Sequence, residues 1–386
     1  MNRADLRRLA YCPPRANRSP SAQVLDESPL SAYGHPRLAG RPPCSAGGLR
    51  LTRGGAAGRP GESFAHVPVM ADEVVETFSV TPPGLLIDAT VGGGGHAAAI
   101  LSSRNDVVLL GIDRDPEALS ATGQTLQPFG ARARLVAARF DRLEEVVASR
   151  AGHEPVIGVL FDLGVSSWQF DSPERGFSYR FEGPLDMRMN RADPVTAAEI
   201  VNTWPAAELA RIFASSGESR FAGRIARSIE SRRPLHTTSE LADAVRSAIP
   251  AAARRGGGHP AKRVFQALRI AVNEEIDQLG PAVDTAIRLL VPGGRIVVLS
   301  YHSGEDKLAK QRLQAAATGW CSCPSGLPCV CGAVPAVRLL NRGARLASRE
   351  EVARNPRSAS ARFRAAERLP RGQSDDEDPA GEGGEP

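Results

Sequence analysis

Short runs of apolar residues alternate with helix-favouring stretches along the middle of the chain. Each run is nearly continuous and rich in Leu, Ile or Val, which is typical of strands buried on both faces of a sheet. Helical patterns follow the first two runs, over 97–103 and 116–126. Because strands that alternate with helices form parallel sheets with right-handed crossovers, the pattern predicts an α/β fold. The predicted strands are 85–88, 107–113, 134–138, 156–162 and 295–301.

The fourth and fifth predicted strands are too far apart for one crossover. The residues between them favour helices, so we predict an inserted helical domain over 172–262, with the sheet domain formed by 65–171 and 263–368. An amphipathic helix follows, with apolar residues from Phe265 to Leu279 on one face, and Pro281 is expected to stop it. The helical stretches predicted in the insertion are 197–200, 206–213, 221–231 and 239–249.

Composition narrows the class of protein. The 386 residues are 42% hydrophobic and 24% charged, as in an ordinary globular protein. A membrane-spanning helix needs about 18 consecutive apolar residues, and none is found, nor is a secretory signal. Six cysteines are too few for a disulfide framework in a chain of this length, which indicates a reducing, cytoplasmic setting.

The two ends of the chain differ from the middle. Residues 1–64 contain eight Pro, eight Gly and ten Arg without a hydrophobic period, so we expect a disordered extension, or a start assigned too far upstream. Residues 369–386 are expected to be a disordered acidic tail. Residues 211–269 hold twelve Lys and Arg against four acids, which fits either phosphate binding or a solvated basic face.

A glycine turn follows the first predicted strand. Asp88 ends the strand, Gly92 to Gly95 follow, and His96 opens a helix. Glycines let a ligand approach the backbone, and a helix start offers free N–H groups. Asp113 ends the second strand, where an acid can bind both hydroxyls of a ribose. These features fit either a dinucleotide or S-adenosylmethionine, although Asp88 favours a ligand with an ammonium group over a pyrophosphate.

Polar residues also end the later strands. Asp162 follows the fourth strand, where the carboxyl ends of central strands line the ligand crevice, but it could equally cap the strand. The last predicted strand leads into His302, Glu305 and Asp306. A histidine at this position is as often structural as catalytic.

Several of these segments together resemble one family, the bacterial methyltransferases that modify the N4 amino group of a cytidine in small-subunit ribosomal RNA. The resemblance spans about residues 66–368. Its most specific segments are Asp162–Ser167 and Gly183–Met189, and the others are 66–70, 88–96, 111–116, 174–178, 259–270 and 300–307.

The resemblance implies a class I, Rossmann-like methyltransferase sheet with a helical insertion, and S-adenosylmethionine as cofactor. It also implies that small-subunit ribosomal RNA, free or in the small ribosomal subunit, is the partner. The basic residues of the insertion are the candidates for binding its phosphates: Arg220, Arg224, Arg227, Arg232, Arg233, Arg254 and Arg255. His302, Glu305 and Asp306 are the candidates on the substrate side, with His302 as the catalytic candidate. The cofactor contacts carry over to Gly94, Gly95, His96, Asp113, Phe140, Asp162 and Gln169.

Alternatives remain open at this point. A methyltransferase of another nucleic acid or protein, or a nicotinamide-dependent dehydrogenase, fits the same sheet. Cys321, Cys323, Cys329 and Cys331 could hold a structural zinc or form a reduced loop, so no metal ligand is assigned.

Overall fold

A central mixed sheet carries the strands that the apolar runs predict. The structure, a computed structural model, describes residues 68–254, 259, 261–324 and 330–370. The predicted extension over 1–64 and all but the first two residues of the predicted acidic tail lie outside them. The strands are β1 (Gly84–Asp88), β2 (Val107–Asp113), β3 (Ala133–Ala137), β4 (Val156–Asp162), β5 (Leu290–Ser300), β6 (Val337–Leu339), β7 (Arg345–Leu346) and β8 (Arg362–Arg368).

The strand order is β3-β2-β1-β4-β5-β8-β6, with β7 also paired to β8. Strands β1 to β5 are parallel, and β8 is antiparallel to the strands on both of its sides. The chain moves outward from β1 to β3 and then returns to the other side of β1 with β4. The carboxyl ends of β1 and β4 therefore flank the switch point, where open α/β sheets bind their ligands.

Helices cover both faces of the sheet, which explains the continuous apolar runs. Alternate residues of one strand belong to different cores: Leu85 and Ile87 face one, and Leu86 faces the other. The helices of the sheet domain are α1 (Ala71–Ser79), α2 (Gly95–Ser103), α3 (Pro116–Leu126), α4 (Leu143–Arg150), α5 (Ser167–Asp171), α12 (Glu275–Leu289), α13 (Ser303–Ala317) and α14 (Arg349–Arg354).

The segment between β4 and α12 builds a third core of its own. Ile200, Phe213, Ile225, Leu241 and Phe265 are all buried in it. The insertion predicted over 172–262 stays a prediction, since this core also includes Phe265. The helices are α6 (Ala197–Thr203), α7 (Ala206–Ser215), α8 (Ala222–Glu230), α9 (Thr238–Ala248), α10 (Ala251–Arg254) and α11 (Ala261–Asn273).

The single helix predicted to end at Pro281 is wrong. Two helices, α11 and α12, meet at Glu274, whose φ is +53°, and Pro281 lies inside α12. The buried Asn273 explains the break, because its side chain donates to the Met187 carbonyl at 2.8 Å and accepts from the Met189 N–H at 2.8 Å. Pro281 costs one helical hydrogen bond, while the flanking Leu279 and Val283 stay buried against the sheet.

Strands β6 to β8 were not predicted. Residues 362–365 alternate arginine with apolar residues, and the density of charge over 362–368 conceals a strand of period two. Phe363 and Ala365 are buried while Arg362 is exposed, as the alternation requires. Among the described residues, no helix is both long and apolar enough to span a membrane.

Candidate active site

The glycine turn joins β1 to α2 and needs its glycines at two positions. Gly92 has φ +51° and Gly94, which precedes the helix, has φ +80°. A Cβ on Gly94 would also stand 3.0 Å from Thr122 of α3. The Thr122 hydroxyl donates to the Gly92 carbonyl, which fixes the turn against α3. A Cβ on the exposed Gly93 would meet nothing within 4 Å, so there is space beside the turn for a ligand.

Two carboxylates, the buried Asp88 and the half-buried Asp113, lie at the tips of β1 and β2. Asp113 accepts the Gly92 N–H and the Asp115 N–H, each at 2.9 Å, and Asp88 accepts the Thr90 N–H at 3.2 Å. Burial raises the pKa of Asp113 to about 6 and that of Asp88 to about 8, although these hydrogen bonds act in the opposite direction. Among the described residues neither forms an ion pair, so both carboxyl groups are available to a cationic or hydroxyl-bearing ligand.

A third carboxylate ends β4 and has polar neighbours. Asp162 Oδ1 accepts the Tyr301 hydroxyl at 2.6 Å, and Oδ2 faces His96 Nδ1 at 3.5 Å. His96 Nε2 lies 2.8 Å from the Val69 carbonyl, which fixes the ring. Burial and the adjacent Asp162 raise the pKa of Tyr301 well above its usual value, so its hydroxyl stays protonated and donates. The Asp162 side chain keeps 20% of its surface exposed and can meet a ligand.

Phe140 and Gln169, the other predicted cofactor contacts, lie farther out. Phe140 begins a short turn after β3 and packs edge-on against Phe161, with ring centroids 6.0 Å apart. Gln169 is buried and uses both atoms of its amide: Oε1 accepts the Ser166 N–H at 3.0 Å, and Nε2 donates to Asp115 Oδ2 at 2.7 Å. Its link to the site therefore runs through Asp115, and a direct cofactor contact stays a prediction.

His302 caps the helix that follows β5. Its Nδ1 accepts the N–H groups of Gly304 and Glu305 at 3.2 and 3.3 Å, and its Nε2 lies 3.1 Å from Glu305 Oε1. Glu305 in return accepts the Tyr301 N–H at 2.8 Å. Burial alone would raise the pKa of Glu305, but His302 and Arg269 hold it below its usual value. A catalytic role for His302 stays a prediction.

Asp306, the third candidate on the substrate side, pairs with arginines of the sheet. Its carboxylate accepts two hydrogen bonds from Arg364, at 2.7 and 3.1 Å, and lies 3.5 Å from Arg362. Both arginines belong to β8, so this acid ties α13 to the sheet.

Three residues near the site were missed by sequence reasoning. The Tyr301 hydroxyl binds Asp162, Arg269 forms two 2.8 Å hydrogen bonds to Glu275 and lies 3.8 Å from Glu305, and Arg175 is 1% exposed. Arg269 had a visible signal, because it follows Phe265 by one turn on the apolar side of a predicted helix, where a charge is unusual. Arg175 and Tyr301 had none, since their partners are distant in sequence.

The donor set fits S-adenosylmethionine. Asp113 can accept ribose hydroxyls, and Asp162 offers a carboxylate to an ammonium or sulfonium group. A cation bound beside Asp88 would favour the ionised form of that acid, whose pKa burial raises to about 8. With the strand order 3-2-1-4-5 and one antiparallel strand inserted beyond β5, fold and site define a class I S-adenosylmethionine-dependent methyltransferase. The chain belongs to the MraW methylase family, whose model matches residues 63–369.

The similar proteins share one name. "Ribosomal RNA small subunit methyltransferase H" from Symbiobacterium thermophilum is 49% identical over 316 residues, 81% of this chain and 99% of the relative. The protein of the same name from Thermobifida fusca is 52% identical over 79% of this chain and 93% of its own. The family does not favour a nicotinamide-dependent dehydrogenase.

Among solved structures, a ribosomal RNA methylase from Streptococcus thermophilus is similar over 78% of this chain and 94% of its own, at 12% identity. The TM-score is 0.35, too low to support an argument.

Proposed function

We propose that this chain transfers a methyl group from S-adenosylmethionine to the N4 amino group of a cytidine in small-subunit (16S) ribosomal RNA, acting in the cytoplasm. The observation that carries the proposal is the convergence of Asp88, Asp113 and Asp162 at the switch point of the sheet, beside the glycine turn. The names of the relatives supply the RNA substrate.

The cofactor would be held by residues from four loops. Gly94 and Gly95 would offer backbone contacts, Asp113 would accept the ribose hydroxyls, and Phe140 would pack against the adenine. His96 and Asp162 would border the methionine end, and Gln169 would support Asp113 through Asp115. When bound, the cofactor supplies a methyl group on a positively charged sulfur, which is already a good leaving group.

The protein then has to orient a weak nucleophile. The lone pair of the cytosine amine is delocalised into the ring, so an acceptor for one of its N–H groups would sharpen the nitrogen. Asp162 Oδ2 is the proposed acceptor, because Tyr301 already occupies Oδ1 and the side chain is partly exposed. The same oxygen would take the proton that the methylated amine must lose.

His302 enters the proposal as a positioning residue. Backbone N–H groups occupy its Nδ1, and its Nε2 is buried 3.1 Å from Glu305 Oε1, so neither ring nitrogen is open to a proton from substrate. It holds the start of α13, and Glu305 binds the backbone of Tyr301, whose hydroxyl orients Asp162.

The target base has to be single-stranded or turned out of its stack. We propose that α8 grips the surrounding RNA, because it buries Ile225 and Ile229 and leaves Arg224 and Arg227 exposed. Arg220 and Arg232 flank the helix and are exposed too. Arg233, which we expected to contribute, instead donates to the carbonyls of Val201 and Trp204. Of the remaining candidates, the side chain of Arg254 and all of Arg255 lie outside the described part.

The test is methylation by the full chain of 16S ribosomal RNA from a strain that lacks the corresponding gene. One reaction receives naked RNA and another receives small ribosomal subunits, with S-adenosylmethionine in both. Nucleoside mass spectrometry should find N4-methylcytidine with wild type and almost none with Asp113→Asn. Asp106→Asn is the matched control, since Asp106 precedes β2 at the opposite end of that strand from Asp113 and accepts from Arg104 Nε at 2.9 Å.

Two outcomes would contradict the proposal. A methyl group on another nucleoside in both substrates would remove the cytidine assignment. A thermal shift with NADH but not with S-adenosylhomocysteine would remove the methyltransferase itself.

A further inference from the structure

Three cysteines from two separate segments meet beyond the end of α13. Cys321 and Cys323 follow the helix, and Cys331 precedes β6. Their sulfur atoms all lie within 4.8 Å of one another. Cys321 Sγ and Cys331 Sγ are 3.5 Å apart although ten residues separate them in the chain. Such convergence is the first requirement of a metal site.

The backbone is shaped to bring these segments together. Gly319 has φ +62° and Trp320 has φ +57°, so the chain reverses directly after α13. A Cβ on Gly319 would stand 2.5 Å from the Val334 carbonyl oxygen, so the two segments need glycine there to pass each other. The Ala336 N–H donates to the Ala316 carbonyl at 2.8 Å and holds the returning segment against the helix.

We propose that Cys321, Cys323 and Cys331 bind a structural Zn²⁺ ion. Zn–S bonds are about 2.3 Å long, so the sulfurs of a tetrahedral site lie about 3.8 Å apart, close to the spacing found here. The Cys323 N–H donates to Cys321 Sγ at 3.4 Å, which stabilises a thiolate at that sulfur. Each thiol would release its proton to solvent when the metal binds.

Zinc is favoured over other occupants by the ligand chemistry. Thiolates select soft or borderline metals, and zinc accepts three protein ligands and a water in tetrahedral geometry. A disulfide between Cys321 and Cys331 would need its sulfurs at about 2.05 Å, and they lie 3.5 Å apart. Cys329, the fourth cysteine of the sequence cluster, lies outside the described residues, and the proposal does not depend on it.

The ion would act as a clip and not as part of the reaction. Helix α13 has 15 residues and is therefore about 22 Å long, with His302 before its first residue and Cys321 beyond its last. The clip would fasten the end of this helix to the segment that enters β6, at the edge of the sheet. Zinc loss should therefore lower the unfolding temperature and leave S-adenosylhomocysteine affinity within about twofold.

The experiment measures metal in the full chain, expressed without a metal-binding tag, reduced and desalted. Elemental mass spectrometry should find about one zinc per chain in wild type and less than about a tenth in a Cys321→Ser, Cys323→Ser, Cys331→Ser variant. Cys44→Ser is the matched control and should keep its zinc. Iron in place of zinc, zinc retained by the triple variant, or zinc lost by the control would overturn the site.

A second measurement does not depend on the variants folding. Wild type reloaded with Co²⁺ should show the intense charge-transfer absorption of thiolate-bound tetrahedral cobalt. Wild type that takes up neither Zn²⁺ nor Co²⁺ under reducing conditions would overturn the proposal, and so would a native mass lowered by a disulfide.

Discussion

Two acids only two residues apart, the half-buried Asp113 and the buried Asp115, have opposite surroundings. Asp113 ends β2 and accepts only backbone N–H groups, without an ion pair among the described residues. Asp115 begins α3 and is surrounded by donors: the Glu117 N–H at 3.0 Å, the Gln169 amide at 2.7 Å and the Arg175 guanidinium at 2.9 Å. One turn thus holds Asp113, whose carboxylate has no cationic partner among the described residues, beside Asp115, whose carboxylate pairs with Arg175.

The difference between the two acids distinguishes a residue proposed to bind a ligand from a residue that stabilises the fold. Arg175 comes from the start of the insertion and also reaches Glu117 at 2.8 Å and the carbonyls of Arg188 and Met189. It ties the insertion to the sheet next to the site. Asp113 and Asp88 have no such cation among the described residues, and we propose that their partner is a ligand. On this proposal, Asp113 and Asp88 belong to the ligand site, whereas Asp115, through its ion pair with Arg175, connects the insertion to the sheet.

Arg175→Met should produce the largest effect. It leaves Asp115 buried without its cation, and losing one member of a buried pair costs about 3–5 kcal/mol. The free energy of unfolding, measured with urea, should fall by that amount. Arg142→Met is the control, because Arg142 and Glu145 form an exposed pair, and it should cost under about 1 kcal/mol. Adding Asp115→Asn to Arg175→Met should recover part of the loss; no recovery would mean that the stranded charge is not the cause.

Asp113→Asn should separate affinity from stability. Loss of a charged acceptor costs about 1.5–3 kcal/mol, so S-adenosylhomocysteine affinity, measured by calorimetry, should fall about 10- to 100-fold. The free energy of unfolding should fall by less than about 1 kcal/mol, since the ionised carboxylate was itself unfavourable there. If Asp113→Asn binds S-adenosylhomocysteine normally but has a much lower free energy of unfolding, then Asp113 and not only Asp115 has a structural role.

Asp88 should make stability depend on pH. Its pKa is about 8 in the folded chain and 3.8 in the reference state, so the folded state holds the extra proton between these values. The free energy of unfolding should therefore decrease as pH rises, by at most about 1.4 kcal/mol per unit. Asp113 adds the same trend only up to about pH 6, so the range from about pH 6 to 8 isolates Asp88.

Urea unfolding of wild type and Asp88→Asn at several pH values checks this slope. The variant should be flatter over that range. Equal slopes would show that Asp88 is already ionised, and the contrast with Asp115 would then rest on Asp113 alone.

Sequence reasoning reached those parts of the molecule that depend on local pattern. The runs 107–113 and 156–162 match β2 and β4 because both faces of these strands are buried. Asp88, Asp113 and Asp162 could be predicted together because parallel strands place their carboxyl ends on one edge. The glycine turn was visible for a similarly local reason.

The remainder depends on contacts that no pattern records. Tyr301 meets Asp162 across 139 positions, and Arg175 meets Asp115 across 60. The break at Glu274 depends on Asn273 finding Met187 and Met189, and Pro281 alone suggested a different end. Strand β8 is recognisable only once β5 is beside it.

The position of β8 in the sheet also has a consequence for folding during synthesis. It is the final strand of the described residues, yet it lies between β5 and β6. Without it β5 would lose the neighbour on one of its two sides, and β6 would lose its partner in the sheet. During synthesis the sheet cannot close until residues 362–368 have left the ribosomal tunnel, so most of the protein must wait with an open hydrogen-bonding edge. A message truncated just before this strand would yield a chain that has nearly every site residue and no finished sheet to hold them.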